Sequence, residues 1–175
     1  MEDLIHGATA ILKGLRYHAE KFTALQNTLD GLDHMDPDQD SSIRAIISDM
    51  NNEAIAYFNR IGQFYYFAKS QNVNAIIPDY AQHIPRILQL KIFRMKQSAH
   101  RATDAPQGEN PANMAQLDRL FTYQHITINK RLWFQVLLDE VDPVTGNQSI
   151  NFFLLEDHPV LVSEIEKFIQ LLNND

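Results

Sequence analysis

Residues 43–69 read IRAIISDMNNEAIAYFNRIGQFYYFAK, and this stretch decides the fold class. Ile43, Ile46/Ile47, Met50, Ala54, Tyr57/Phe58, Ile61 and Phe64/Tyr65 recur at steps of three and four, the spacing of one face of an α-helix. Asp40 or Ser41 offers the side-chain oxygen that an N-cap requires. The helix is rich in aromatics: Tyr57, Phe58, Phe64, Tyr65, Tyr66 and Phe67 are too many to face one way. Some must point away from the local core, which predicts a symmetric homodimer unless a neighbouring hairpin covers them within one chain.

On the N-terminal side, Leu4, Ala8, Ile11/Leu12, Leu15, Phe22, Leu25 and Leu29 predict a second long amphipathic helix over 4–29. Between the two, Gly31 to Asp40 holds a glycine, a proline and four aspartates, a composition that reads as a loop. On the C-terminal side a helix is expected over 78–100, where Pro85 must kink it or divide it. A loop follows with Pro106, Gly108 and Pro111, then a short helix over 112–122. From there the period changes to two. Leu132, Phe134, Val136 and Leu138 alternate, and Ile150 to Leu155 forms a second run beyond Pro143 and Gly146, which predicts an antiparallel hairpin of 131–139 with 148–155. Pro159, at a favoured first helical position, opens a terminal helix over 159–172. The expected fold is mainly α (α+β): one domain over 1–175, a helical bundle with one added β-hairpin and a C-terminal helix.

The length of 175 residues suits one domain, and 45% hydrophobic with 21% charged residues is a globular composition. No run approaches 18 uninterrupted apolar residues, and Met1-Glu2-Asp3 is acidic where a secretory signal is basic, so neither a membrane span nor an export signal is expected. The absence of cysteine excludes disulfides, thiolate metal sites and thiol nucleophiles, and fits the cytoplasm.

Familiar motifs fail on inspection. Asp36, Asp38 and Asp40 take the first three ligand positions of a calcium loop, but Ser41 stands where the glycine belongs and Ile47 where the bidentate glutamate belongs. A solvated, capping loop is the expectation. The seven histidines include no HExxH, no Glu-x-x-His and no pair three or four residues apart, so a metal-binding bundle, with His18 and Glu20 or His100 and Asp104 as ligands, has no positive support. No GxGxxG, P-loop or GxSxG occurs, and neither a metal nor a cofactor is expected.

One segment differs in charge. From Ala81 to Thr103 there is no acid, while Arg86, Lys91, Arg94, Lys96 and Arg101 contribute +5; the rest of the chain, with 10 basic and 22 acidic residues, carries −12, giving the net −7. At about 100° per residue, Ile84, Leu88, Ile92, Met95 and Ala99 share one face, and Arg86, Arg94 and Arg101 another nearly opposite, with Leu90 and Phe93 beside the arginines. Such a helix is central or shared between subunits. Its arginines either pair with carboxylates of neighbouring helices or bind phosphate, for which the guanidinium fork is suited.

Within this segment, Arg94-Met95-Lys96-Gln97-Ser98-Ala99-His100-Arg101 resembles the Arg-x4-6-His motif of the HEPN superfamily, whose members are α-helical bundles, often dimeric, many of them metal-independent RNases of toxin–antitoxin and defence systems. The resemblance implies Arg94 as stabiliser of phosphate charge in the transition state and His100 as general acid or base; on the phosphate-binding reading of the basic segment, Arg86, Lys96 and Arg101 are the contacts. Met95 replaces the small polar residue of active members and joins the apolar stripe. The reading that follows is a HEPN-like interaction or regulatory module without catalysis, with an RNA or protein partner at the Arg86–Arg101 helix. The alternative is a HEPN-type endoribonuclease.

Overall fold

The computed structural model describes residues 1–33, 35–91, 93, 124–126, 131–137 and 149–174; within 124–137, side chains are described at 132, 134 and 135 only. Two long helices form the frame, α1 (Glu2–Asp30) and α2 (Asp40–Lys69). They pack antiparallel. Gly7 faces Phe67, Gly14 lies under Arg60, and His18 Nδ1 is 2.8 Å from Glu53 Oε2. At Gly14 a Cβ would fall 2.6 Å from Arg60 Nε, so glycine is what lets that side chain lie flat across α1. Buried Leu12, Leu15, Phe22 and Leu29 of α1 meet Met50, Phe58, Ile61 and Phe64 of α2 in one core. Ala19, the poorly filled step in the apolar pattern, is buried as well.

The acidic loop does act as a capping loop. Asp36 accepts the Asp38 N–H at 3.0 Å and opens a 3-10 turn over Pro37–Gln39, while Asp33 accepts the Met35 N–H. The N-cap of α2 is Gln39, neither Asp40 nor Ser41, and it makes no side-chain cap bond. Asp40 instead sits in the first turn, paired with Arg44 four residues on at 2.9 Å, where a negative charge suits the helix dipole.

Beyond α2 comes a short helix, α3 (Gln71–Ile76), and the start of the expected 78–100 helix is replaced by a turn with Asp79 in the left-handed region at φ 58 and a 3-10 turn Tyr80–His83. The α-helix proper, α4, begins at Pro85 and is described at 85–91 and 93. Proline divides the element at Pro85, which takes the first helical position, where its missing N–H breaks no intrahelical bond. Of the two apolar sides of α4, the one turned to the core carries Leu90 and Phe93. Ile84, Ile87, Leu90 and Phe93 are fully buried, whereas Leu88 is only partly so. Phe93 decides the rotation by stacking on Phe58, with centroids 4.6 Å apart and planes 12° from parallel.

The expected helix over 112–122 lies outside the described residues. The hairpin is present. β1 (Gln124–Ile126), β2 (Arg131–Leu137) and β3 (Ser149–Phe152) form an antiparallel sheet in the order β1-β2-β3, with Phe134 opposite Phe152 and Val136 opposite Ile150. β1 is an element that alternation did not reveal. The second strand ends earlier than expected, because α5 (Leu154–Asn174) starts at Leu154 and carries Pro159 inside it. The local reason is a reciprocal cap: the Asp157 carboxylate accepts the Phe153 N–H at 2.9 Å, while the Phe153 carbonyl accepts from Glu156 and Asp157. Leu161, Ile165, Phe168 and Leu172 of α5 then line the core. Arg16 of α1 and Glu166 of α5 pair at the surface.

The aromatic surplus of α2 is thus covered largely within one chain. Phe58 touches Phe93, Phe134 and Phe152; Phe64 meets Phe168; Tyr65 lies under Lys91 Nζ at 4.4 Å; Tyr66 alone of the six is exposed. Since Phe58 joins α2, α4, β2 and β3, Phe58→Ala is expected to cost about 3–5 kcal/mol, read as a lowered urea midpoint at unchanged slope.

Candidate functional site

The start of α4 is where the acid-free segment meets the rest of the chain. A helix leaves its first N–H groups without intrahelical partners. Proline removes one, and the next two belong to Arg86 and Ile87. Both are taken by a single side chain from α5: Glu164 Oε1 accepts the Arg86 N–H at 2.9 Å and Oε2 the Ile87 N–H at 3.1 Å. The negative charge sits at the positive end of the α4 dipole. Burial pushes the Glu164 carboxyl above its ordinary range, against the pull of those two N–H groups and of the Arg86 and Lys167 charges.

Arg86 extends the same brace. Its Nε donates to Asp157 Oδ1 at 2.8 Å, one NH2 group to Gln89 Oε1 at 3.0 Å, and the other to the Asn151 carbonyl at 2.8 Å. One guanidinium therefore ties α4, the end of β3 and the first turn of α5. Asp157 is divided between this ion pair and the N–H of Phe153, so the helix cap and the arginine depend on the same carboxylate. Next to it, His158 Nδ1 lies 2.9 Å from the hydroxyl of fully buried Tyr57. Burial, and then the Arg16 charge, lower the His158 pKa, with Glu20 opposing; burial and the Asp157 charge raise that of Tyr57. Both shifts favour the neutral pair in which the Tyr57 hydroxyl donates to the imidazole.

Outside the brace a cleft of about 560 Å³ opens between the 3-10 turn and α5, lined by Gln82, His83, Pro85, Pro159, Val160, Ser163, Glu164 and Lys167. Its surface is mostly apolar, with His83 and Lys167 as basic members and Glu164 shared with the brace. Val160, 48% exposed, is among the few large apolar side chains left open to solvent.

Of the residues expected to carry chemistry, Arg86 alone is described, and it lies in the brace, bonded through all three guanidinium nitrogens. Arg94, Lys96, His100 and Arg101 lie outside the described residues. Asp157, Glu164, His158 and Tyr57 were not anticipated; a signal for Glu164 existed, since an acid among apolar Leu161, Ile165 and Phe168 on one helical face requires a partner. Among the described residues, no group of three or more His, Asp or Glu side chains gathers where it could hold a metal ion, and no helix is long and apolar enough to cross a membrane. Comparison with protein-family models, curated proteins and solved structures found no match to this chain.

Two tests follow from the brace. Arg86→Ala is expected to destabilise the chain by about 3 kcal/mol, since it leaves the part-buried Asp157 with the Phe153 N–H as its remaining bond described above; Arg86→Lys recovers only part, an ammonium being unable to span three acceptors. Because the folded Glu164 carboxyl is held above its ordinary value, the folded chain binds that proton more readily than the unfolded one. Its contribution is fully present below the unfolded value and is lost as pH rises through the folded one. Wild type should therefore gain on Glu164→Gln as pH is lowered from about 7 to 4, measured by paired denaturant midpoints.

Proposed function

We propose that this chain is a HEPN-like helical module that acts through binding rather than catalysis, in a cytoplasmic regulatory setting such as a toxin–antitoxin or defence system. The observation that carries this reading is the state of Arg86. A phosphate-binding arginine keeps its fork free for a bidentate contact, and here the fork is engaged by Asp157, Gln89 and the Asn151 carbonyl. That supports the structural role of the basic segment over the phosphate-binding one at the position where the two can be compared. Met95, in place of a small polar residue next to Arg94, points the same way.

The partner side is the start of the basic helix. The cleft beside Pro85 offers an apolar floor from Pro85, Pro159 and Val160 with Lys167 and His83 at hand. Such a surface suits a protein segment carrying apolar and acidic side chains better than a nucleic-acid strand, which the net charge of −7 repels. A homodimer is the assembly the resemblance implies.

Purified protein incubated with single-stranded RNA in EDTA separates the readings. No cleavage is expected. Cleavage that Arg94→Ala and His100→Ala each abolish, with the helical circular dichroism spectrum retained, would replace the binding module by the metal-independent endoribonuclease, with Lys96 and Arg101 as phosphate contacts. Static light scattering at micromolar concentration reads the assembly: a mass of twice 20.2 kDa is expected, and a monomeric mass removes the dimer.

A further inference from the structure

Of the three tyrosines on α2, Tyr57 alone is fully buried. Its ring touches Phe152 of β3 and the imidazole of His158 on α5, each with centroids 5.8 Å away, and its hydroxyl lies 2.9 Å from His158 Nδ1. Among the described residues no other group bonds that hydroxyl. A buried hydroxyl needs an acceptor for its hydrogen, so Tyr57 donates to Nδ1, which requires a neutral imidazole with its own hydrogen on Nε2. The charges around the pair come from two sides: Arg16 and Glu20 of α1 act on His158, and Asp157 of α5 acts on Tyr57. Phe152 brings no charge.

We propose that the Tyr57–His158 hydrogen bond is a proton-operated latch on the start of α5: it holds while the imidazole is neutral and is released when the ring takes up a proton. A protonated imidazole carries hydrogen on both nitrogens and accepts nothing. To keep the contact, Tyr57 would have to turn its oxygen to Nδ1 and leave its own hydrogen unpaired in the core, which is costly. The new charge would also face Arg16, with Glu20 opposing less strongly. Tyr57 is fixed in the core, whereas His158 is only part-buried, so the ring that leaves is the imidazole. Its departure removes a polar contact between α2 and the first turns of α5. Asp157, the preceding residue, holds both the Phe153 N–H and Arg86, so loosening of this turn reaches the start of α4. The released ring titrates near the ordinary value of 6.5 and the latched ring below it. The open form therefore binds the proton first, and falling pH favours it until the closed form is protonated as well. Tyr57, His158, Arg16 and Glu20 all lie outside the 81–103 segment, so the latch does not rest on the HEPN-like reading.

Hydrogen–deuterium exchange of the full chain, corrected for the intrinsic pH dependence of amide exchange, tests the latch at residues 153–160. Protection there is expected to fall by about threefold or more as the pH is lowered from about 7.5 to about 5. His158→Gln, whose carboxamide still accepts from Tyr57 but does not titrate, should show little of this fall. Glu164 titrates in the opposite sense and is present in both proteins, so the difference between them reads His158. The ring resonances of His158 give a second measurement: a midpoint below 6.5 in wild type, raised by Arg16→Gln and lowered by Glu20→Gln. An equal pH response in wild type and His158→Gln, or a His158 midpoint at or above 6.5, would overturn the latch.

Discussion

The carboxylate of Glu164 against the N–H groups of Arg86 and Ile87 is the contact on which the arrangement of the second half of the chain depends. Proline at position 85 starts α4 but contributes no donor, and a six-residue helix, a left-handed aspartate and a 3-10 turn precede it, none of which offers a local cap. The donors are satisfied instead from α5, 77 and 78 residues away. Because the bond joins the end of one helix to the side of another, it sets position as well as distance: with the start of α4 pinned on α5, Phe93 comes to rest on Phe58. The cost is a carboxylate withdrawn from water. The raised Glu164 pKa records that cost, and the two N–H groups and the adjacent arginine limit it.

The charge distribution has a structural explanation at this point. A net charge of −7 conceals a segment of +5, and at Arg86, its first basic residue, the neighbouring acids come from α5. α5 carries Glu156, Asp157, Glu164 and Glu166 against one lysine, Lys167. Asp157 and Glu164 lie seven residues apart, two turns along the same helical face, which is why both reach Arg86, one through its side chain and the other through its backbone. Lys91 is accommodated differently, over the ring of Tyr65, where a cation rests on a π face.

The parts of the fold legible in the sequence are those fixed by long periodic faces. α1 and α2 differ from their expected bounds by a few residues at each start, and the pairing of Phe134 with Phe152 follows from alternation on the two strands. What could not be read depends on tertiary partners. The rotation of α4 about its axis was undetermined between two apolar faces until Phe58 chose one. α3 and the 3-10 turn are too short to show a period. The start of α5 was obscured because Phe152 to Leu155 is an unbroken apolar run across the junction, which suits a strand or a buried helix equally. For the site, the sequence marked the right segment by its lack of acids but gave no sign that Arg86 would be held from three sides. That outcome required Asn151, Asp157 and Glu164, residues more than sixty positions away.

The strand-to-helix junction also borders a pocket of about 220 Å³, and the turn in the chain explains its lining. Had the strand continued through Leu155, successive side chains would have pointed to opposite faces, and Phe153 and Leu155 could not have lined the same space as Leu154. The Asp157 cap on Phe153 turns the chain into a helix one residue after β3. Phe153, Leu154, Leu155 and Glu156 consequently follow one another around a single cavity, which is possible only where the backbone curls about it. The carboxylate that shapes this wall is the one that holds Arg86. A change at Asp157 therefore acts on both features at once, loosening the start of the basic helix and altering the cavity, through two bonds made by one side chain.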